Sequence, residues 1–576
     1  MRVETEAEEE YDHEAAYEAY LDDVRRRQDR IRPPGLPAGL RYRAGEVPVP
    51  DCVHHWAQEA PDRPAVVFRS AVISYAQLDE AADRLAGWLD GQAGVRPGDR
   101  VGVYLPNCPQ FIVAMLAVLR LGAVHVPVNP MFKEAELRHE LRDAGPEVVI
   151  AQDTLAPGLE AVRADTPVRR VLVTTDSDML PGAPAGPWAK ALAHPRLGRC
   201  ARDLDALAAL NYTGGTTGMP KGCEHTQRHM LYTAAAVDSG TLAPDTGKGA
   251  VYLCYLPVFW IAGENLGILA PLISGGTSVL LPRWDAAAAL AAIERHQVSV
   301  MAGTVENYLE MLGLPDFSRH DLSSLTAPLT VSFIRKLTPS LRKRWADAAG
   351  PHSVLREGSY GMTETHTSDT WTLGFQDEDR DLLTEPVFCG LPVPGTDVMV
   401  VDFVTGQPLP LGERGEIVIR GPSLLTGYWR QPAATAEVLR DGWLHTGDIG
   451  LLDEDGLLHY LGRAKEMIKV NGMSVFPTEV ETLLGRHPEV VAAAVVPVDD
   501  PERGQLPYAF VRTLPDSALT APELSAWARG TMAVYKVPLV ELVSELPLTT
   551  TGKIRKAELT DLAAARRRSS SAAEGS

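Results

Sequence analysis

From Cys52 onward, short apolar runs alternate with longer stretches whose apolar residues recur at helical spacing. Ala65 to Phe68, Val101 to Leu105, Ala123 to Val128, Val148 to Ala151 and Val171 to Thr174 are short and apolar, which predicts buried strands. Between them, Ser74 is placed to cap a helix running to about Leu89, and Phe111 to Leu121 predicts a buried helix. Strand, helix, strand at this spacing predicts parallel β-α-β units. Ala206 to Leu210, Val251 to Leu256 and Val298 to Gly303 extend the series, while Asp176 to Ala201, rich in proline and glycine, reads as a loop. Val398 to Phe403 and Glu416 to Ile419, separated by proline and glycine turns, predict a small β-rich subdomain. Val490 to Val496 and Tyr508 to Val511 predict strands of a last, small α/β domain, whose helix would open on the capping-box pattern Thr478-Glu479-Val480-Glu481.

The ends read differently. Five glutamates lie within Glu4 to Glu10, and Glu14 to Ile31 predicts a helix of surface charge pairs, a solvated arm stopped by Pro33-Pro34-Gly35. From Ala563 the chain is Ala, Arg and Ser without periodicity, which predicts disorder. At 576 residues the chain exceeds a single core. The predicted division is a charged extension over 1–45, a large domain over 46–462, a small one over 463–562 and a tail over 563–576.

Composition narrows the partners. The formal net charge of −20 argues against nucleic acid, which needs a basic face, though an anionic ligand can still be met by a local field. The six cysteines lack metal-site spacing and read as free thiols in a reducing compartment. No signal peptide or membrane span is visible, so a cytoplasmic protein is expected, with homodimerisation and attachment to a membrane surface left open.

The most telling chemistry lies in Tyr212-Thr213-Gly214-Gly215-Thr216-Thr217-Gly218-Met219-Pro220-Lys221-Gly222. Glycines let a backbone approach a ligand closely, successive N–H groups form an anion-binding hollow, and a lysine supplies a point charge for phosphate. The P-loop pattern fails here, because Pro220 precedes the lysine and Gly222 follows it.

This loop resembles the signature of the adenylate-forming superfamily, which includes acyl- and aryl-CoA synthetases, luciferases and peptide-synthetase adenylation domains. Ser359-Tyr360-Gly361-Met362-Thr363-Glu364-Thr365, Gly442-Trp443-Leu444-His445-Thr446-Gly447-Asp448, Gly462-Arg463-Ala464-Lys465-Glu466 and Thr551-Gly552-Lys553-Ile554 resemble further family motifs in the family's order. The resemblance implies an α/β fold: a large domain of parallel and mixed sheets with a β-rich subdomain, plus a small mobile α/β domain carrying a catalytic lysine. It implies a two-step reaction in which a carboxylate attacks the α-phosphorus of ATP, releasing pyrophosphate, and coenzyme A then takes the acyl group and releases AMP.

By the same resemblance, Thr213 to Gly218 and Lys221 hold the β- and γ-phosphates. Ser359, Tyr360, Gly361 and Met362 line the nucleotide, and Thr363 meets the α-phosphate. Glu364 binds magnesium, Asp448 the ribose hydroxyls and Arg463 the ribose from the interdomain side. Lys553 touches the α-phosphate and the carboxylate. Lys465 matches the hinge position, and Gly472 lets the pantetheine arm pass. Trp260, Ala302 and Gly303 match the acyl pocket; Trp260 stands where the family often has histidine, which argues against the usual aromatic-acid pocket. Thr330-Val331-Ser332 replaces a Gly-Gly-Ala-like segment beside the adenine. The acid implied is a medium or long aliphatic one. The alternatives are an adenylating enzyme that loads a carrier protein, and a non-catalytic nucleotide- or acyl-binding relative.

Overall fold

The computed structural model describes residues 13–213, 219–241, 249–332, 335–384, 387–549 and 553–574. Gly214, Gly215, Thr216, Thr217, Gly218, Thr551 and Gly552 therefore lie outside the described residues.

Two large sheets are built as the alternating pattern predicts. In one, the strands Arg356–Glu357, Ala327–Val331, Val300–Thr304, Val251–Cys254, Thr277–Leu280 and Pro64–Phe68 run parallel, and Ala71–Ser74 closes the edge as an antiparallel hairpin. In the other, Arg170–Thr174, Val148–Gln152, Arg100–Tyr104, Val124–Pro127 and Leu207–Tyr212 run parallel, and Gly222–Thr226 returns antiparallel. One core joins residues of both sheets through the helices Val49–Glu59, Tyr75–Trp88 and Pro109–Leu121. The last of these is buried on every side, which is why it is apolar at every turn. Ser74 caps the helix Tyr75–Trp88 as expected: its hydroxyl accepts from Gln77 N, and Gln77 Oε1 accepts from Ser74 N.

The third sheet is antiparallel, the β-rich unit the turn-separated runs predict. It contains Asp397–Val401, Gly415–Arg420, Trp443–Leu452, Leu458–Arg463 and Val387–Pro392. The fourth is the small final sheet. Val490–Asp500 and Gly504–Thr513 form its long hairpin, and Leu539–Leu542 joins in parallel.

Four expectations need correction. The N-terminal helix His13–Ile31 is not a solvated arm. Leu21 and Val24 are buried against Met399 and Val418, and against Val398 and Ile417. Arg25 Nη2 donates to both oxygens of Asp397 at 2.8 and 2.9 Å, and Gln28 Nε2 donates to Gly456 O. Apolar burial, about 1.5–3 kcal/mol per large side chain, outweighs a half-exposed ion pair of about 0–1 kcal/mol here. Second, Asp176 to Ala201 is not all loop. The helix Pro187–Leu192 buries Trp188 completely, and six residues with a proline start are too few for periodicity to register.

Third, Thr478 caps nothing. The helix Pro477–Leu484 begins one residue before it, so Thr478 is inside the first turn, and Glu481 Oε1 accepts from Val495 N instead. Fourth, the tail is the helix Lys556–Glu574, docked by Leu559 and Ala563 against Val496 and Phe510. Arginine and alanine are good helix formers, so one docked turn is enough to hold the segment. Among the described residues, no helix is long and apolar enough to cross a membrane.

Candidate active site

The site gathers where the antiparallel sheet meets the loop of Tyr360. The strands Trp443–Leu452 and Leu458–Arg463 pair with Asp448 opposite Arg463, so both side chains leave the same face. Arg463 Nε lies 2.7 Å from Asp448 Oδ1, and Tyr360 Oη donates to Asp448 Oδ2 at 2.6 Å. The Arg463 contact has ion-pair distance without hydrogen-bond alignment. Burial pushes the Asp448 carboxyl above its ordinary range, while Arg463 and Tyr360 pull the other way. Burial also works against the charge of Arg463, but Asp448 and the neighbouring tyrosines outweigh it and raise its pKa.

Tyr360 belongs to a tightly folded loop. Asp369 N donates to Tyr360 O, and Thr367 N donates to Met362 O, both at 2.8 Å. A Cβ on Gly361 would lie 2.6 Å from Ser368 N, so this position admits only glycine. His366, Thr367 and Ser368 all have left-handed backbone (φ 55°, 65° and 66°), a run that costs of order 1–3 kcal/mol per residue and needs support. Thr365 Oγ1 supplies some by donating to Asp369 Oδ2 at 2.6 Å across the run. Asp369 is enclosed, and burial lifts its carboxyl to about 8.

Beneath this loop lie three buried imidazoles, unforeseen from the sequence. His225 Nε2 is 2.8 Å from Thr363 O, and its Nδ1 is 3.2 Å from His229 Nδ1. His366 Nδ1 meets Thr233 Oγ1 at 2.8 Å, with its ring edge-on to His225. Burial holds all three well below the ordinary histidine range, His229 at about 4 and His366 at about 3. They are neutral, with His225 propping Thr363, and among the described residues no cluster of three or more side chains forms a metal-holding set.

Glu364 Oε1 accepts from Tyr428 Oη at 2.8 Å, and Lys221 Nζ lies 4.8 Å from the centroid of the same Tyr428 ring. Lys221 and Thr213 are clasped by two bonds, Thr213 N to Lys221 O and Lys221 N to Thr213 Oγ1, which fixes both ends of the glycine-rich loop. Tyr428 was also missed. Its loop lies on the sheet edge, where Glu224 N donates to Gly427 O and Trp429 N donates to Gly222 O. An aromatic pair in a glycine-containing loop was the available signal.

Lys553 arrives from the small domain. Thr549 N donates to Lys553 O at 2.7 Å and Lys553 N to Thr549 Oγ1 at 3.1 Å. Loss of solvent lowers its pKa first and Arg463 lowers it further, against the pull of Asp448 and Glu364. Lys553 is nonetheless exposed, so this crowding is that of a cleft open to water, where salt screens part of the interaction.

The AMP-binding enzyme family model matches residues 53–429, and the model of the AMP-binding enzyme C-terminal domain matches residues 479–553. The chain belongs to the AMP-binding enzyme family. A feruloyl-CoA synthase of Amycolatopsis sp is 35% identical over 507 residues, covering 87% of this chain and 96% of that one. A long-chain-fatty-acid–CoA ligase of Bacillus subtilis (strain 168) is 31% identical over 539 residues, covering 87% and 92%. Among solved structures, ATP-bound MatB from Rhodopseudomonas palustris aligns with a TM-score of 0.78 at 28% identity, over 89% of this chain and 98% of that one. The anthranilate CoA ligase AuaEII in complex with anthranoyl-AMP aligns with a TM-score of 0.78 at 26% identity, over 90% and 98%.

In this AMP-binding enzyme, the remaining sequence-predicted residues fall at strand ends, in one loop and in two turns. Trp260, half-buried, stands at the start of the helix Ile261–Glu264, just beyond the strand Val251–Cys254. Ala302 and Gly303 are buried near the end of the adjacent strand Val300–Thr304. Thr330 and Ser332 lie at the end of the next strand, held by Thr330 Oγ1 to Arg356 O and by Ser332 Oγ to Glu357. All lie toward the carboxyl ends of parallel strands, where open α/β sheets bind ligands. Lys465 is exposed in the single turn Ala464–Glu466, between the large domain's strand Leu458–Arg463 and the small sheet's Ile468–Val470. Ser359 is exposed at the head of the Tyr360 loop. Gly472 has a local reason to be glycine: with Asn471 it makes a two-residue turn at positive φ between paired Val470 and Met473.

Proposed function

We propose that this chain is an ATP-dependent, AMP-forming acid–thiol ligase that activates a carboxylic acid as its adenylate and passes the acyl group to coenzyme A. The reading rests on one observation above the others: Lys553, from the small domain, is within electrostatic reach of Asp448, Arg463 and Glu364. A cation that feels both the ribose-side aspartate and the metal-side glutamate is positioned for an α-phosphate between them. Carboxylate attack on phosphate brings negative charge toward negative charge, so preorganised cations at that point lower the barrier most.

In this reading Asp448 accepts from the ribose hydroxyls, with Arg463 and Tyr360 fixing its oxygens. Thr213 and Lys221 hold the outer phosphates, together with the loop residues 214–218. Ser359, Tyr360, Gly361 and Met362 flank the nucleotide, and Thr363 contacts the α-phosphate. Glu364 fits magnesium, since a lone carboxylate plus substrate phosphates is an ordinary magnesium environment. When bound, the ion supplies charge neutralisation along the phosphates. Lys465 absorbs the rotation between half-reactions, and Gly472 borders the thiol's approach.

The acid has an apolar body bordered by Trp260, Ala302 and Gly303, in keeping with a medium or long aliphatic chain. A similarity to a feruloyl-CoA synthase supports an aryl acid as a second reading. The test is pyrophosphate release with ATP and magnesium over fatty, aryl and short polar acids, with and without coenzyme A. Release with one acid class, and a thioester only with coenzyme A, is the expected result. Release that never yields a coenzyme A thioester identifies a carrier protein as the acceptor, and no release with any acid overturns the ligase reading.

A further inference from the structure

Apart from the nucleotide residues, a cluster of four buried side chains is polar where the fold gives it no reason to be. His125, Asn211, Glu264 and Asn265 are at most 2% exposed. They come from the strand Val124–Pro127, the strand Leu207–Tyr212, the last residue of the helix Ile261–Glu264 and the first of the π-helical turn Asn265–Leu269. Six of their polar atoms lack a hydrogen-bond partner: both ring nitrogens of His125, Asn211 Oδ1, Glu264 Oε1, and Oδ1 and Nδ2 of Asn265. What links them is weak, namely Asn211 Nδ2 to Glu264 Oε2 at 3.4 Å and His125 Nε2 to Glu264 Oε2 at 3.7 Å. Each such group left unpaired costs about 1–3 kcal/mol, more if charged. A chain that keeps four of them together has something to pair them with.

Their position says what. Asn211 and Thr213 lie two residues apart, so their side chains leave the same face, and Tyr212 between them turns away to donate to Asp143. His125 pairs in register with Ala209, which shares that face. The cluster thus continues inward along the sheet face that carries Thr213, at the start of the phosphate loop. Glu264 lies one helical turn from Trp260, its N–H donating to Trp260 O at 2.8 Å. That helix is held hard against the strand end: a Cβ on Gly263 would fall 2.0 Å from Pro257 O, and one on Gly267 would fall 2.7 Å from Cys254 Sγ. A π-helical turn inserted at such a place is a frequent mark of a functional site.

Resting on the ligase reading, we propose that this cluster is the inner end of the acyl pocket and receives a hydroxyl group that the acid carries at the end remote from its carboxylate. The unpaired atoms include acceptors, the oxygens of Glu264, Asn211 and Asn265, as well as donors on Asn265 Nδ2 and the His125 ring, so a guest that both donates and accepts satisfies them. A hydroxyl donates once and still accepts from Asn265 Nδ2 or His125. A plain methyl terminus offers neither and leaves the buried groups unpaired. Sites of this kind reject the analogue without its hydroxyl far more strongly than apolar pockets reject a change in size.

The experiment pairs acids that differ by that hydroxyl alone: 4-hydroxycinnamate with cinnamate, and 16-hydroxyhexadecanoate with hexadecanoate. Pyrophosphate release is measured for the wild type, Glu264→Leu, Asn265→Leu and the conservative Glu264→Gln. In the wild type, kcat/KM for the hydroxylated member of one pair is expected to exceed its partner's by on the order of 10²-fold. That ratio falls toward one in Glu264→Leu and Asn265→Leu, and Glu264→Gln retains part of it. Which pair responds distinguishes an aryl from an aliphatic body. Equal rates within both pairs in the wild type overturn the proposal, as does a ratio that survives both leucine variants, which is the behaviour of a cluster filled by water alone. If no acid releases pyrophosphate, the ligase reading has failed separately. Calorimetric titration of the same acids into the wild-type protein then decides, and 4-hydroxycinnamate and 16-hydroxyhexadecanoate binding no tighter than their partners overturns the cluster's role.

Discussion

Asp448 and Lys553 face one cleft, yet the chain holds them in opposite ways. Asp448 is set in the middle of a long strand, buried, with its oxygens held by Arg463 across the ladder and by Tyr360. Lys553 is exposed on the small domain and shares two bonds with Thr549. The first cannot move without breaking a sheet, whereas in the proposed reading the second leaves by rotation at the Ala464–Glu466 turn. The difference fits the proposed parts: a built-in half that binds, and a withdrawable half that acts once and makes room.

The strongest way to break this contrast is Lys553→Ala. Pyrophosphate release should fall by about 10²–10³-fold, the scale for losing one transition-state donor, with the melting temperature unchanged. A large loss of stability, or an unchanged rate, would place Lys553 with the built-in half. Next in size is Lys465→Pro, which fixes φ at the turn between domains. Thioester formation should drop by roughly tenfold or more while pyrophosphate release is kept, since conformational steps can limit turnover without touching the chemistry. Equal loss in both half-reactions would move the hinge elsewhere.

The smallest effect belongs to the built-in half and is read as stability. Asp369 stays protonated in the folded protein up to about pH 8, whereas an unfolded aspartate ionises near 3.9. Between those values the native state binds the extra proton, so stability is lost as pH rises from about 4 to 8. Asp369→Asn removes that loss. Its melting temperature should exceed the wild type's by a margin that grows from pH 5 to pH 8, corresponding to on the order of 1–3 kcal/mol at the upper end. Parallel curves for variant and wild type would mean that Asp369 is ionised and paired.

Much of this was legible in the sequence, for a physical reason. Buried parallel strands must be apolar along their length, so the two large sheets could be read from short apolar runs. Lys221, Glu364, Asp448, Arg463 and Lys553 could be picked out because the motifs that carry them resemble those of the adenylate-forming superfamily. What escaped depends on pairings distant in the chain. Tyr428 reaches Glu364 only because its loop lies along the edge strand Gly222–Thr226. His225 and His229 carry helical spacing, but His366, 137 residues beyond His229, completes their cluster only in the fold. The capping box at Thr478 failed because Pro477, one residue earlier, is the better first helical residue, with its fixed φ and missing N–H.

The N-terminal helix carries one more consequence, in time rather than space. Its anchor, Arg25 on Asp397, spans 372 residues. At roughly 5–20 residues per second, a ribosome making this chain leaves that helix without its sheet for on the order of half a minute. Through that interval the apolar pair Leu21 and Val24 has nowhere to dock, and the dense charge of the surrounding turns is what keeps the waiting segment in solution. A chain begun after this helix would meet the opposite problem, emerging with a finished sheet whose Val398, Ile417 and Val418 lack their cover.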